Sequence, residues 1–151
     1  MTLLAEKIVE EFDKKNSIAN VDHSGANYEQ YLNMSAGDLD AIDKQGCLIA
    51  QHTLLRYAIS VNKKLNILRA QYSINEGIFT RSLVKVHPSY DKFLGNKLII
   101  ASACNEFDYI NEMQIELSKM NAIIISMEGL VERVDKMIQL FKDLSFIKGK
   151  Y

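Results

Sequence analysis

A single pattern in the last third of the chain leaves little choice of fold. Ile110, Met113, Leu117, Met120, Ile124, Met127, Val131, Val134, Ile138 and Phe141 follow an unbroken alternation of steps of three and four, and all ten positions are apolar. A strand repeats every two residues, so only a helix returns these side chains to one face. A second stripe, Ile123, Leu130, Met137 and Leu144, widens that face. A single seam serves one partner helix, whereas a wider face packs on more than one neighbour. The expectation is therefore a long C-terminal helix that meets its own hairpin partner and a second subunit. Ile110, Met113, Leu117, Met120, Ile124, Met127, Val131 and Val134 are its oligomerisation face. Gly129 inside this run costs about 1 kcal/mol relative to alanine, and is either a point of close helix approach or simply tolerated.

The hairpin partner is the preceding segment. Leu54, Ala58, Val61, Leu65, Leu68, Tyr72, Asn75 and Phe79 keep the same alternation, with Asn75 the one polar member. Gly77 and His87-Pro88-Ser89 end or bend this helix, because the residue before a proline is pushed out of the α region. Upstream, Leu4, Ile8 and Phe12 put one apolar face on a short helix over 3–15, and Tyr28–Met34 offers a further turn or two. Ser35 with Asp38 three residues on has the form of a capping box, and Asp40 and Asp43 follow near the positive end of the same helix. No alternating strand pattern competes with this reading. The predicted architecture is all-α: an elongated, coiled-coil-like antiparallel helical hairpin with short N-terminal helices, self-associating. It forms one domain, with an N-terminal helix and loop over 1–35, a basic central helix over 36–86 and a long C-terminal helix over 90–147. An elongated hairpin has a poor surface-to-volume ratio, and oligomerisation is the usual remedy.

Composition removes several function classes. No apolar run approaches the roughly 18 residues that a membrane helix needs. The opening MTLLAEKIVEEFDKK acquires acids too early for a secretory signal, so a cytoplasmic location is expected, with no membrane partner. Cys47 and Cys104 stand apart and read as reduced thiols. His23, His52 and His87 are scattered, His52 within a helical pattern as a half-buried structural residue, so no zinc site forms from them. Asp38, Asp40 and Asp43 have acidic spacing but lack the glycine and terminal glutamate of a calcium loop. No glycine-rich phosphate loop, dinucleotide fingerprint or nucleophile elbow is present. The expected protein is non-enzymatic and carries no cofactor.

Charge is the informative residue class. The net charge of −1 hides a balance of −5 over 1–55, +6 over 56–97 and −2 over 98–151. On a helical wheel Arg56 and Lys63 fall opposite the apolar seam, and Arg81 and Lys85 return to that outer sector. Lys64 lies to one side, Arg69 borders the seam, and Lys85, Lys92 and Lys97 surround the loop. The side chains beside the stripe are neutral, with Glu76 the one acid between Arg56 and Arg81. Such an acid-free track suits phosphates, bound with little regard to sequence. Tyr57, Tyr90 and Phe93 are either stacking faces for unpaired bases or core residues. Arg56, Lys63, Lys64, Arg69, Arg81 and Lys85 are thus the candidate nucleic-acid contacts. The competing reading closes the stripe with the protein's own acidic first 55 residues, within or between subunits, and makes the protein a helical adaptor, chaperone or assembly factor.

The run HTLLRYAISVNKKLNILRAQY, His52–Tyr72, resembles the central helix of the recombination mediator proteins of T4-type phages, the UvsY family. MEGLVERVDKMIQLFKDLSFIKGKY, Met127–Tyr151, is similar to the terminal helix of that family, with Phe146-Ile147-Lys148-Gly149 standing where its Phe-x-x-Gly-like tail lies. Two departures accompany the likeness. Tyr72 to Gly77 keeps one tyrosine and a displaced glycine where the family has an aromatic pair and glycine, and the family's C-terminal Arg-x-Phe is missing. The resemblance implies a ring-forming homo-oligomer that binds single-stranded DNA and helps a recombinase displace a single-strand-binding protein. Arg69 is its best residue match for DNA contact, with Lys63 and Lys64 next by charge.

Overall fold

The computed structural model describes residues 28–90 and 97–149, and every regular element among them is an α-helix. Helix α1 spans Tyr28–Leu32, α2 Ala36–Ala41, α3 Lys44–Val86, α4 Lys97–Glu106 and α5 Asp108–Ile147. The predicted helix over 3–15, with Lys92 and Phe93, lies outside the described residues.

Two predicted boundaries are corrected. The central helix does not begin at Ser35. Ser35 caps α2 through the expected box: its Oγ accepts from the Asp38 N–H at 3.2 Å while Asp38 Oδ2 accepts from the Ser35 N–H at 3.0 Å. Ile42 then turns extended (φ −66°, ψ 134°), and Asp43 starts a new helix by accepting the Gly46 N–H at 2.6 Å. Glycine relieves crowding at that third position, because a Cβ on Gly46 would lie 2.7 Å from Ile42 Cγ1 and force that side chain to shift. The C-terminal helix is likewise interrupted at Phe107, whose carbonyl accepts from the N–H groups of Ile110 and Asn111 as α5 starts. The other end of α3 falls as expected, at Val86 just before His87-Pro88, whereas Gly77 neither ends nor breaks it.

The described residues form two compact units, one falling within Met1–Leu65 and Ser126–Tyr151, the other within Asn66–Ile125. In the first, early turns of α3 pack on late turns of α5 around Cys47, Ala50, Leu54, Ala58, Val134 and Phe141. Helices α1 and α2 add Tyr28, Tyr31, Leu32 and Leu39 to this core, with Tyr31 meeting Phe141 edge-on at 5.9 Å. Each short helix ends on a cation supplied by α5 or the turn after it. Arg133 donates to the carbonyl of Leu32 at 3.1 Å and to Asn33 Oδ1 at 2.9 Å. Lys148 Nζ donates to the carbonyls of Leu39 (3.1 Å), Asp40 (2.8 Å) and Ile42. A helix C-terminus exposes unpaired carbonyls and a partial negative charge, so these cations hold α1 and α2 in place. In the second unit, late turns of α3 pack on early turns of α5 and on α4 around Phe79, Leu83, Ala103, Ile110 and Leu117. This early-with-late pairing in one unit and late-with-early in the other is that of a helical hairpin.

Both seams are covered by the chain itself. All eight seam positions of α3 and all ten of α5 are buried or half-buried. Asn75, the polar exception, donates its amide to Met120 Sδ at 3.3 Å. Of the positions expected to face a second subunit, Ile110, Leu117, Met120, Ile124 and Val134 are buried in the single chain, and Met113, Met127 and Val131 are half-buried. The second stripe, Ile123, Leu130, Met137 and Leu144, is covered as well. The seam is thus largely covered within the single chain, with Met113, Met127 and Val131 left part-exposed.

Candidate nucleic-acid interface

The seam fixes the rotation of α3, and that rotation decides which cations reach solvent. In the first unit Arg56 and Lys63, two turns apart, are exposed, and Lys64 is half-buried. In the second unit Arg81 and Lys85, one turn apart, are exposed, as is Arg69; Lys97 is exposed at the start of α4. Among the described residues Arg56, Lys63, Arg81 and Lys85 form no ion pair, while Lys64 and Arg69 each take part in an interaction within the chain.

Two of the acids named as competitors for these cations have other work. Asp38 closes the capping box of α2, and its two bonds from Ser35 hold its carboxyl below the ordinary value of 3.8. Asp43 caps α3. The acids upstream of Tyr28 lie outside the described residues.

The aromatic expectations divide. Tyr57 is not an open stacking face: its ring lies on that of Tyr28, centroids 3.9 Å apart and 11° from parallel. Burial, then the Tyr28 hydroxyl and the Glu29 carboxylate, push the Tyr57 phenol up to about 12. Tyr90 is half-buried and lines a cleft of the second unit. His52 is exposed rather than half-buried. His87 Nε2 is buried without a hydrogen-bond partner, 3.9 Å from a carboxylate oxygen of Glu106.

One feature of this surface escapes the charge pattern. Leu48, Leu55 and Ile59, at heptad-like spacing on α3, are 50%, 50% and 58% exposed, so the first unit's cations border an apolar row. The spacing is visible in the sequence, but the longer and stronger seam on the neighbouring side of the helix masks it. No group of three or more His, Cys, Asp or Glu side chains among the described residues could hold a metal ion. Cys47 and Cys104 are free, and burial raises both thiols. No described helix is long and apolar enough to cross a membrane. No protein-family model matches this chain, and neither a curated protein nor a solved structure matches it.

Proposed function

We propose that this is a non-enzymatic protein that binds single-stranded nucleic acid through phosphate neutralisation on the outer side of α3, in the manner of a recombination mediator that helps load a recombinase on single-stranded DNA. One observation carries the reading: Arg56, Lys63, Arg81 and Lys85 stand exposed with no ion-pair partner among the described residues, in a stretch whose charge balance is +6. Surface cations in an ordinary helix are interspersed with acids that pair with them at spacing four. Cations without such partners attract a polyanion and release its counterions, which makes binding salt-dependent and sequence-tolerant. The resemblance of His52–Tyr72 to the central helix of phage recombination mediators supports the same reading, and self-association would add weak sites by avidity.

The test is a titration of labelled single-stranded DNA across a salt series. Binding at low salt should weaken steeply as salt rises. Replacing Arg56, Lys63, Arg81 and Lys85 by glutamine should lower the slope of log affinity against log salt by roughly 3, at about 0.7 per phosphate contact. Absence of binding at low salt sinks the proposal. An unchanged slope in the variant shows that phosphate is held elsewhere.

A second reading has its own observation. The exposed row of Leu48, Leu55 and Ile59 suits a helical protein partner, as in an adaptor or assembly protein. It is favoured if DNA does not bind and if Leu55→Glu changes the mass of the protein's assemblies.

A further inference from the structure

The second unit holds a cleft of about 360 Å³ that phosphate neutralisation does not use. That volume lies at the lower end of the roughly 300–1,000 Å³ of small-molecule sites. Tyr72 and Phe79 of α3 line it, with Tyr90 from the segment after α3, and Gln114, Ser118 and Asn121 of α5. Three aromatic rings and two carboxamides thus meet in one wall. Phe79 is only 6% exposed and belongs to the core, whereas Tyr72, Tyr90 and Gln114 are half-buried and Asn121 is exposed.

The chemistry of this wall fits a flat heterocycle. Aromatic faces and edges offer stacking that every base can use. Each carboxamide presents a donor and an acceptor together, the pattern that complements a base edge. The Ser118 hydroxyl donates to the carbonyl of Gln114 at 2.9 Å, so toward a ligand it is an acceptor. Glu76 also lines the cleft and already takes part in an interaction within the chain.

From this we infer that the cleft takes one unstacked nucleobase of a single-stranded chain, favouring the larger stacking face of a purine. The inference rests on the reading above for its polymer but adds a base-specific contact to it. Bases in a duplex are paired and stacked, so the cleft would favour single strands.

The experiment compares an adenine-bearing oligonucleotide, a thymine-bearing one and an abasic one of equal length at fixed salt. The adenine strand should bind about tenfold more tightly than the abasic strand, the scale of one base stacked on aromatic side chains, and thymine should fall between. Tyr72→Leu should bring the adenine strand down to the abasic level and leave abasic binding unchanged, while Tyr72→Phe keeps the difference. Because Tyr72 also packs on the core, Asn121→Ala, at an exposed position, is the second variant, and it should narrow the gap between adenine and thymine. A separate arm titrates adenosine monophosphate while the methyl resonances of Ile100 and Leu117, both on the cleft wall, are followed by NMR. Saturable shifts abolished by Tyr72→Leu or Asn121→Ala support the site. Equal affinity for all three strands overturns the cleft and leaves phosphate binding standing. If no strand binds, the phosphate reading fails, and the nucleotide titration alone decides: shifts retain the cleft, and their absence overturns it.

Discussion

Two glycines inside the long helices separate conformational tolerance from design at the residue level. Gly77 and Gly129 both lie within continuous helix, and a Cβ at either would meet nothing within 4 Å. Within the single chain, close helix approach is therefore not what Gly129 provides. Glycine in a helix interior is less favourable than alanine by roughly 0.5–1 kcal/mol, through extra backbone freedom in the unfolded chain. Gly77→Ala and Gly129→Ala should each raise stability by about that amount, visible as a higher denaturation midpoint at unchanged slope. Gly46 is the opposite case, since its Cβ would strike Ile42, so Gly46→Ala should destabilise. A loss of stability in Gly129→Ala would show that an uncrowded helical environment is not the governing term there.

The capping box of α2 shows at the scale of the element what sequence can and cannot specify. Ser35 and Asp38 were legible as a cap because the motif is local: both hydrogen bonds close within four residues. The break after α2 was not legible. Asp43 as an acid in a first turn and Asp43 as the cap of a new helix look identical in sequence. Phe107 carries no glycine or proline signal for the break it makes between α4 and α5. Nor was the Tyr28–Tyr57 stack, or the cleft gathered from Tyr72, Tyr90 and Asn121, since such juxtapositions depend on packing between distant segments. The heptad seams survived intact, because periodicity over many turns averages out local noise. The cap itself carries a pH dependence whose sign is fixed. The Asp38 carboxyl is lowered in the folded state, so its contribution is present above its ordinary value of 3.8 and is lost as pH falls through the lowered value. Acid titration of the folded protein should show that loss, and Asp38→Asn should lack it. Ser35→Ala should cost about 1 kcal/mol at neutral pH.

For the whole molecule, the decisive fact is that the strongest apolar pattern in the sequence is satisfied inside one chain. Ile110 and Val134 are fully buried, one in each unit, without any second copy. A seam that formed an obligate subunit interface would tie stability to protein concentration, because association favours the folded form by mass action. A seam closed within the chain gives no such link. Ile110→Ala should then lower stability by about 2–5 kcal/mol through lost burial and the cavity left behind. That loss should be the same across roughly a twentyfold range of protein concentration. Chemical denaturation of wild type and variant at both ends of the range measures it. If the difference shrinks or grows with concentration, Ile110 is shared with another copy. If it stays constant, Ile110 is not shared, and the exposed Leu48, Leu55 and Ile59 become the leading candidates for any self-association. The cations and the assembly surface would then lie on the same helix, α3, and mutations at either should be scored for both DNA affinity and assembly mass.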